Sequence, residues 1–306
     1  MMRKLYFLLF PFILSLKLFS QETEEFKPSG KILMDVFFDY YYKIGSDTIM
    51  DGNGEYQKTP KDFNSFAFRR IYLGYEYNFS EKFYASIILE GADALKLADN
   101  KRAVTIKYAY FEWKDIFPGS KLIVGAQKTP IWETTEKIWG YRSVEKTITD
   151  FRKIGSSNDV GVGLQGRIDK NGILGYNILI ANGSAQVAET DKYKKFYGTL
   201  NLNLLDKKLI FELHGNYEKV SDSSDVTLTK AFVGYEHKYF SIGFEEMLEF
   251  VNKGNATTKV LGSSLFAKGN IIKDKLSIFG RIDSYNSDLE NKKAGYIELF
   301  TLFGID

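Results

Sequence analysis

The chain has no cysteine among its 306 residues, only five prolines and two histidines, and no long hydrophobic run after its first twenty residues. Each shortage excludes something. Without cysteine there is no disulfide framework. With His214 and His237 as the sole imidazoles, few residues are available for a nucleophile's general base. Gly-x-Ser-x-Gly, His-Glu-x-x-His and calcium-loop patterns are all missing, so no catalytic centre, metal or cofactor is expected. No run beyond the start approaches the ~18–20 apolar residues that a membrane-crossing helix needs. An excess of one charge is missing too. Lys and Arg number 41 against 39 Asp and Glu, and Arg3, Lys4 and Lys17 belong to the leader. The remainder has no basic field to recruit nucleic acid.

What is present begins with that leader. Arg3 and Lys4 precede an apolar stretch over residues 5–18, interrupted only by Pro11, Ser15 and Lys17, and Ser20 supplies a small residue for cleavage before Gln21. Residues 1–20 are therefore expected to be an export signal, and 21–306 the mature domain. An uncleaved N-terminal anchor is the alternative. Phe and Tyr are abundant, at 25 and 20 residues, while the mean hydropathy of −0.24 is that of a water-soluble protein. Membrane β-barrels combine these properties because only every second strand residue faces lipid.

The mature chain alternates apolar and polar residues in roughly ten-residue runs. Ile32, Met34, Val36, Phe38 and Tyr40 share one face, with Asp35 and Asp39 on the other. Leu209, Phe211, Leu213, Gly215 and Tyr217 alternate with Ile210, Glu212, His214, Asn216 and Glu218 in the clearest case. Period two predicts strands at 32–41, 70–77, 83–90, 104–113, 121–128, 160–168, 173–182, 195–204, 208–218, 228–238, 240–251, 260–269, 275–285 and 295–306. Connections near Asn78, Asp115, Lys170, Asp206, Tyr239 and Asp274 are expected to be tight, and those at 43–63, 92–103, 129–159, 183–194, 219–227, 252–259 and 286–294 long. That sorting predicts an all-β, antiparallel, transmembrane up-and-down barrel of 14 strands in the outer membrane. A soluble β-protein with mutually packed apolar faces would have no reason to sort its loops.

One connection differs from the rest. Residues 129–159 form the longest loop and hold Trp132 and Trp139, two of the three tryptophans, with Ile131, Ile138, Tyr141, Val144, Ile148, Phe151 and Ile154. Loops beyond ~12–15 residues are uncommon unless functional or disordered, and this composition argues against disorder. The loop is expected to fold into the barrel with one or two helical turns over 134–152; packing over the barrel mouth is the alternative. Its charges would then form a constriction: Lys137, Arg142, Lys146, Arg152 and Lys153 with Glu145 and Asp150, and Glu133 and Glu136 beside them. Lumen-facing charges predicted on the strands include Arg70, Glu76, Arg167, Glu212, Arg281 and Asp283. Their mixed signs predict no strong ion preference.

Several segments resemble the phosphate-selective porin O and P family. Phe68-Arg69-Arg70-Ile71-Tyr72-Leu73-Gly74 is similar to that family's double-arginine strand. Ala109-Tyr110-Phe111-Glu112-Trp113 with Val124-Gly125-Ala126-Gln127-Lys128-Thr129-Pro130 resembles the strand pair leading into its constriction loop. Tyr141-Arg142, Glu145 and Asp159-Val160-Gly161-Val162 are similar to that loop's end and the next strand. The resemblance implies a 16-stranded homotrimeric diffusion porin of a Gram-negative outer membrane. Its surroundings would be outer-membrane lipids and lipopolysaccharide, and its permeants small hydrophilic solutes or anions. Two departures stand out. Acidic residues accompany every inward arginine, which leaves phosphate specificity unsupported, and Phe303-Gly304-Ile305-Asp306 is not the aromatic-terminated strand such barrels usually end on. Fourteen is an even number, so a barrel could close with these strands alone; the favoured alternative is that two strands of a 16-stranded barrel are missing. The rival functions are a barrel enzyme acting on lipids, with His214 beside Glu212 read here as a solvated pore residue, and a plugged structural or adhesive barrel.

Overall fold

The computed structural model describes residues 26–45, 48–50, 56–58, 61–272, 275–290 and 297–306; the expected leader at 1–20 lies outside them. All fourteen expected strands are present in one antiparallel sheet. They are β1 (Ser29–Tyr42), β4 (Asn64–Asn78), β5 (Phe83–Lys96), β6 (Arg102–Phe117), β7 (Ser120–Lys128), β8 (Asn158–Arg167), β9 (Leu174–Ala181), β10 (Lys195–Leu204), β11 (Leu209–Ser221), β12 (Ser224–His237), β13 (Phe240–Lys253), β14 (Ala256–Ile272), β15 (Leu276–Asn286) and β16 (Ile297–Ile305). Each pairs with its neighbour in sequence, which is the up-and-down order of a membrane barrel. A small ribbon of β2 (Thr48–Met50) and β3 (Tyr56–Lys58) decorates the first loop. Among the described residues β1 and β16 each pair on one side only, and both have their outer termini at the short-turn end.

The two faces separate as the alternation requires. Leu213, Ile178, Phe196, Val162 and Ile106 are exposed on the outside, while Glu212, His214, Tyr197 and Lys230 are buried on the inside. An apolar belt of this extent on an unpartnered surface fits a hydrocarbon surround. Aromatic rings gather near both strand ends. Tyr75, Tyr77, Phe79, Phe111, Phe83 and Trp113 make a continuous run beside the short turns, and Phe38, Tyr40 and Phe66 cluster toward the opposite end. These are the positions of interfacial girdles.

The expected sorting of loops needs correction. Three connections on the supposed long side are tight: residues 97–101 join β5 to β6, Asp222 and Ser223 join β11 to β12, and Gly254 and Asn255 join β13 to β14. Strands of 14 and 17 residues at β12 and β14 exceed the ~9–11 that cross a bilayer. Apolar alternation ends where the hydrocarbon ends, but ladder hydrogen bonds continue beyond it.

Two of the register shifts are β-bulges that turn cations inward, one in β4 and one in β6. Phe37 pairs with Arg70 and Phe38 with Phe68, so Arg69 is the extra residue; Ile88 pairs with Tyr108 and Leu89 with Ile106, so Lys107 is the extra one. A bulge places two consecutive side chains on one face. Arg69 with Arg70, and Lys107 with Tyr108, thus all point inward.

Candidate functional site

The segment between β7 and β8 folds back onto the inner faces of β11 to β15. Pro130 halts the strand, α1 (Glu133–Trp139) follows, and Gly140 ends it at φ 73° while its N–H bonds the Glu136 carbonyl at 2.9 Å. That left-handed geometry favours glycine. A second short helix, α2 (Ile148–Phe151), completes the segment. Arg142 joins the two helices, bonding Glu136 of α1 and, at 3.0 Å, Asp150 of α2, with its guanidinium 5.3 Å over the Trp132 ring.

Two apolar clusters hold the segment down. Ile138 and Trp139 pack among Ile210, Phe232, Phe266 and Phe279, and Ile131, Trp132 and Ile148 pack on Leu228 and Met247. Burying each such side chain contributes ~1.5–3 kcal/mol. Polar ties add direction: Trp139 Nε1 donates to the Glu145 carbonyl at 2.8 Å, and Trp132 Nε1 to the Ser157 carbonyl at 3.2 Å. At the far side Arg69 donates to the Val144 carbonyl and to Glu145, while Arg152 pairs with Glu298 of β16 and Phe151 meets Phe300. One loop therefore touches the sheet near its first hairpin and at its last strand, as a wall curled around it permits.

The residues expected to line the constriction divide. Lys137 and Lys153 are exposed; Arg142, Glu145, Lys146 and Arg152 are half-buried; Asp150 is buried and receives Lys146 at 3.1 Å as well as Arg142. Burial pushes the Glu136 carboxyl up to about 6 despite the adjacent Arg142. Asp150, also burdened by burial, is nonetheless held below the usual range by Lys146 and Arg142.

On the strands, Arg70 and Glu76 are half-buried on the inner face and Arg167 is exposed beside the short turns. Glu212, Arg281 and Asp283 lie on the inner wall and are almost wholly buried, at 1%, 2% and 0% exposed. Arg281 forks onto Asp283 at 2.8 Å, donates to the Lys146 carbonyl, and lies over the rings of Trp139 and Phe300. Similarly, His214 is no solvated residue. It is buried between Thr199 Oγ1, 2.7 Å from Nδ1, and the Asn216 amide, 3.1 Å from Nε2.

Sequence reasoning missed Arg69, Lys107 and Lys230. The first two are turned inward only by bulges, and Lys107 then reaches Glu90 at 3.1 Å and Ser157 at 2.8 Å. Glu90 also lies 3.8 Å from Arg70 and accepts from Tyr72 and from Gln186 of the β9–β10 loop, each at 3.2 Å.

Two of the cavities beside the loop have volumes of about 560 and 640 Å³. They share Glu133, Thr134 and Asn201, so one passage follows α1 toward the short turns. Its cations are Lys114, Lys121, Lys128, Lys137, Arg142 and Arg167; its anions are fewer, Asp115, Glu133, Glu136 and Glu212.

A meander of antiparallel strands with an apolar outer belt and one long loop against its inner wall is the fold of outer-membrane porins. Among solved structures, the chain is similar to an anion-selective porin from Comamonas acidovorans, at 12% identity and a TM-score of 0.63, over 91% of this chain and 84% of that one. It is also similar to Salmonella typhi OmpF in complex with daunomycin, at 7% identity and a TM-score of 0.61, over 91% of this chain and 85% of that one. No family model matches the chain, and no curated protein does.

Proposed function

We propose that this chain is a passive diffusion porin of a Gram-negative outer membrane, exported by the leader at residues 1–20, with a preference for small anions. The observation carrying the reading is the passage beside the inward loop, where Lys114, Lys121, Lys128, Lys137, Arg142 and Arg167 outnumber the acids. Excess fixed positive charge along a narrow aqueous path raises the local concentration of anions. The constriction assigned to Lys137, Arg142, Glu145, Lys146, Asp150, Arg152 and Lys153 is part of this proposal. So is a homotrimer among outer-membrane lipids and lipopolysaccharide.

Phosphate specificity is a narrower claim. The resemblance to phosphate-selective porins gains two inward cations, Arg69 and Lys107, but Glu145 and Glu90 pair with them. The preference is accordingly for small anions in general. A lipid hydrolase draws no support from His214, which is sealed in the wall with no carboxylate on its ring.

Reconstitution in a planar bilayer tests the reading. Stepwise channels with a reversal potential displaced toward the anion equilibrium potential in a salt gradient are expected. A sealed membrane from folded protein would defeat the porin reading, and a cation-directed potential would defeat the anion preference.

A further inference from the structure

Lys230, in the middle of β12, has a side chain with 0% exposure. Its ammonium has four oxygen partners, two in ion pairs and two in hydrogen bonds. Two belong to the wall: Glu212 of β11 at 3.0 Å and Glu245 of β13 at 3.7 Å. The other two belong to the loop, the Ile131 carbonyl and Thr135 Oγ1, the latter at 3.0 Å. Neither the wall nor the loop alone encloses this charge; the site is complete only when α1 is seated.

We infer that Lys230 is a positioning residue that fixes where the constriction loop sits, and hence the width of the passage beside it; this rests on the porin reading for its consequence, not for its geometry. Trp132, Ile138 and Trp139 would bury apolar area against many placements on the wall formed by Leu228, Phe232, Met247 and Phe266, because hydrophobic contact is non-directional. An ammonium shut away from water is directional and intolerant of a missing acceptor. Sliding α1 by one turn would leave Lys230 dry and short of two of its partners, and would leave the Ile131 carbonyl without its donor. The apolar clusters thus hold the loop against the wall, and Lys230 selects the place.

The absence of cysteine makes the test direct. Spin labels at Lys137→Cys on α1 and Lys170→Cys in the β8–β9 turn, both exposed positions, read the distance from loop to wall in the full chain. The parent should give one narrow distance. Lys230→Met keeps the side-chain volume and removes the donors, so it should shift or broaden that distance and add conductance sublevels absent from the parent. Thr135→Val removes one loop acceptor with the wall charges intact. It should move the distance in the same direction by less, and it decides the question if Lys230→Met does not fold. Wild-type distances in both variants would overturn the proposal. If the parent forms no channels at all, the porin reading fails while the distance measurement still judges the role of Lys230.

Discussion

Replacing Glu90 with Gln should turn the channel more strongly toward anions. Glu90 is the acid between two inward cations, 3.1 Å from Lys107 and 3.8 Å from Arg70, and its removal leaves Tyr72 and Gln186 a polar group to bond. A monovalent ion passing ~6 Å from that position in a water-like dielectric feels a change of ~0.7 kcal/mol. That is about threefold in favour of an anion and threefold against a cation, or about tenfold in the permeability ratio. Losing one partner of a largely buried pair also costs stability, by up to ~3–5 kcal/mol, so folding is verified first by heat-modifiable migration. The assay is the reversal potential of single channels across a tenfold salt gradient. A change toward cations, or none in folded protein, would refute the premise that ions pass within ~6 Å of Glu90.

Three further expectations follow from the loop and its entry strand. Glu136 has its carboxyl raised from 4.5 to about 6, so the fold favours its protonated form: docking of the loop strengthens as pH falls from above 6 toward 4.5, and the passage loses one negative charge. Anion preference should therefore rise with a midpoint near pH 6, and Glu136→Gln should abolish that titration. Trp139→Ala empties the centre of the larger cluster and should weaken loop docking by ~3–5 kcal/mol, seen as faster trypsin cleavage at Lys137 or Arg142. Gly125 holds φ at 124° with the Ala109 carbonyl 2.3 Å from where a Cβ would stand, so Gly125→Ala should cost at least ~1–3 kcal/mol in urea-dependent refolding.

Much of the wall is legible in the sequence because period two is a local property: each of the fourteen alternating runs marks a strand of the sheet, though several strands extend beyond their runs. The bulges were not legible. Phe68-Arg69-Arg70 and Ile106-Lys107-Tyr108 read equally well as unbroken alternation, and the displaced residue is known only from its partner strand. The apolar loop was visible from Trp132, Trp139 and Ile148, whose side chains needed a wall. Its docking site left a signal that went unread, since Leu228, Phe232, Met247 and Phe266 are apolar on faces where a water-filled lumen would carry polar residues. Glu212, Arg281 and Asp283 alternate onto the inner wall, but facing inward and reaching open water are different properties. Which of them the loop covers depends on contacts between residues far apart in sequence.

In the proposed porin, residues 129–159 narrow an open channel. Single-channel conductance of the parent against a variant lacking residues 138–151, both shown to be folded, measures it most directly. A larger conductance and a weaker ion preference are expected in the deletion. Equal conductance in the two proteins would contradict it.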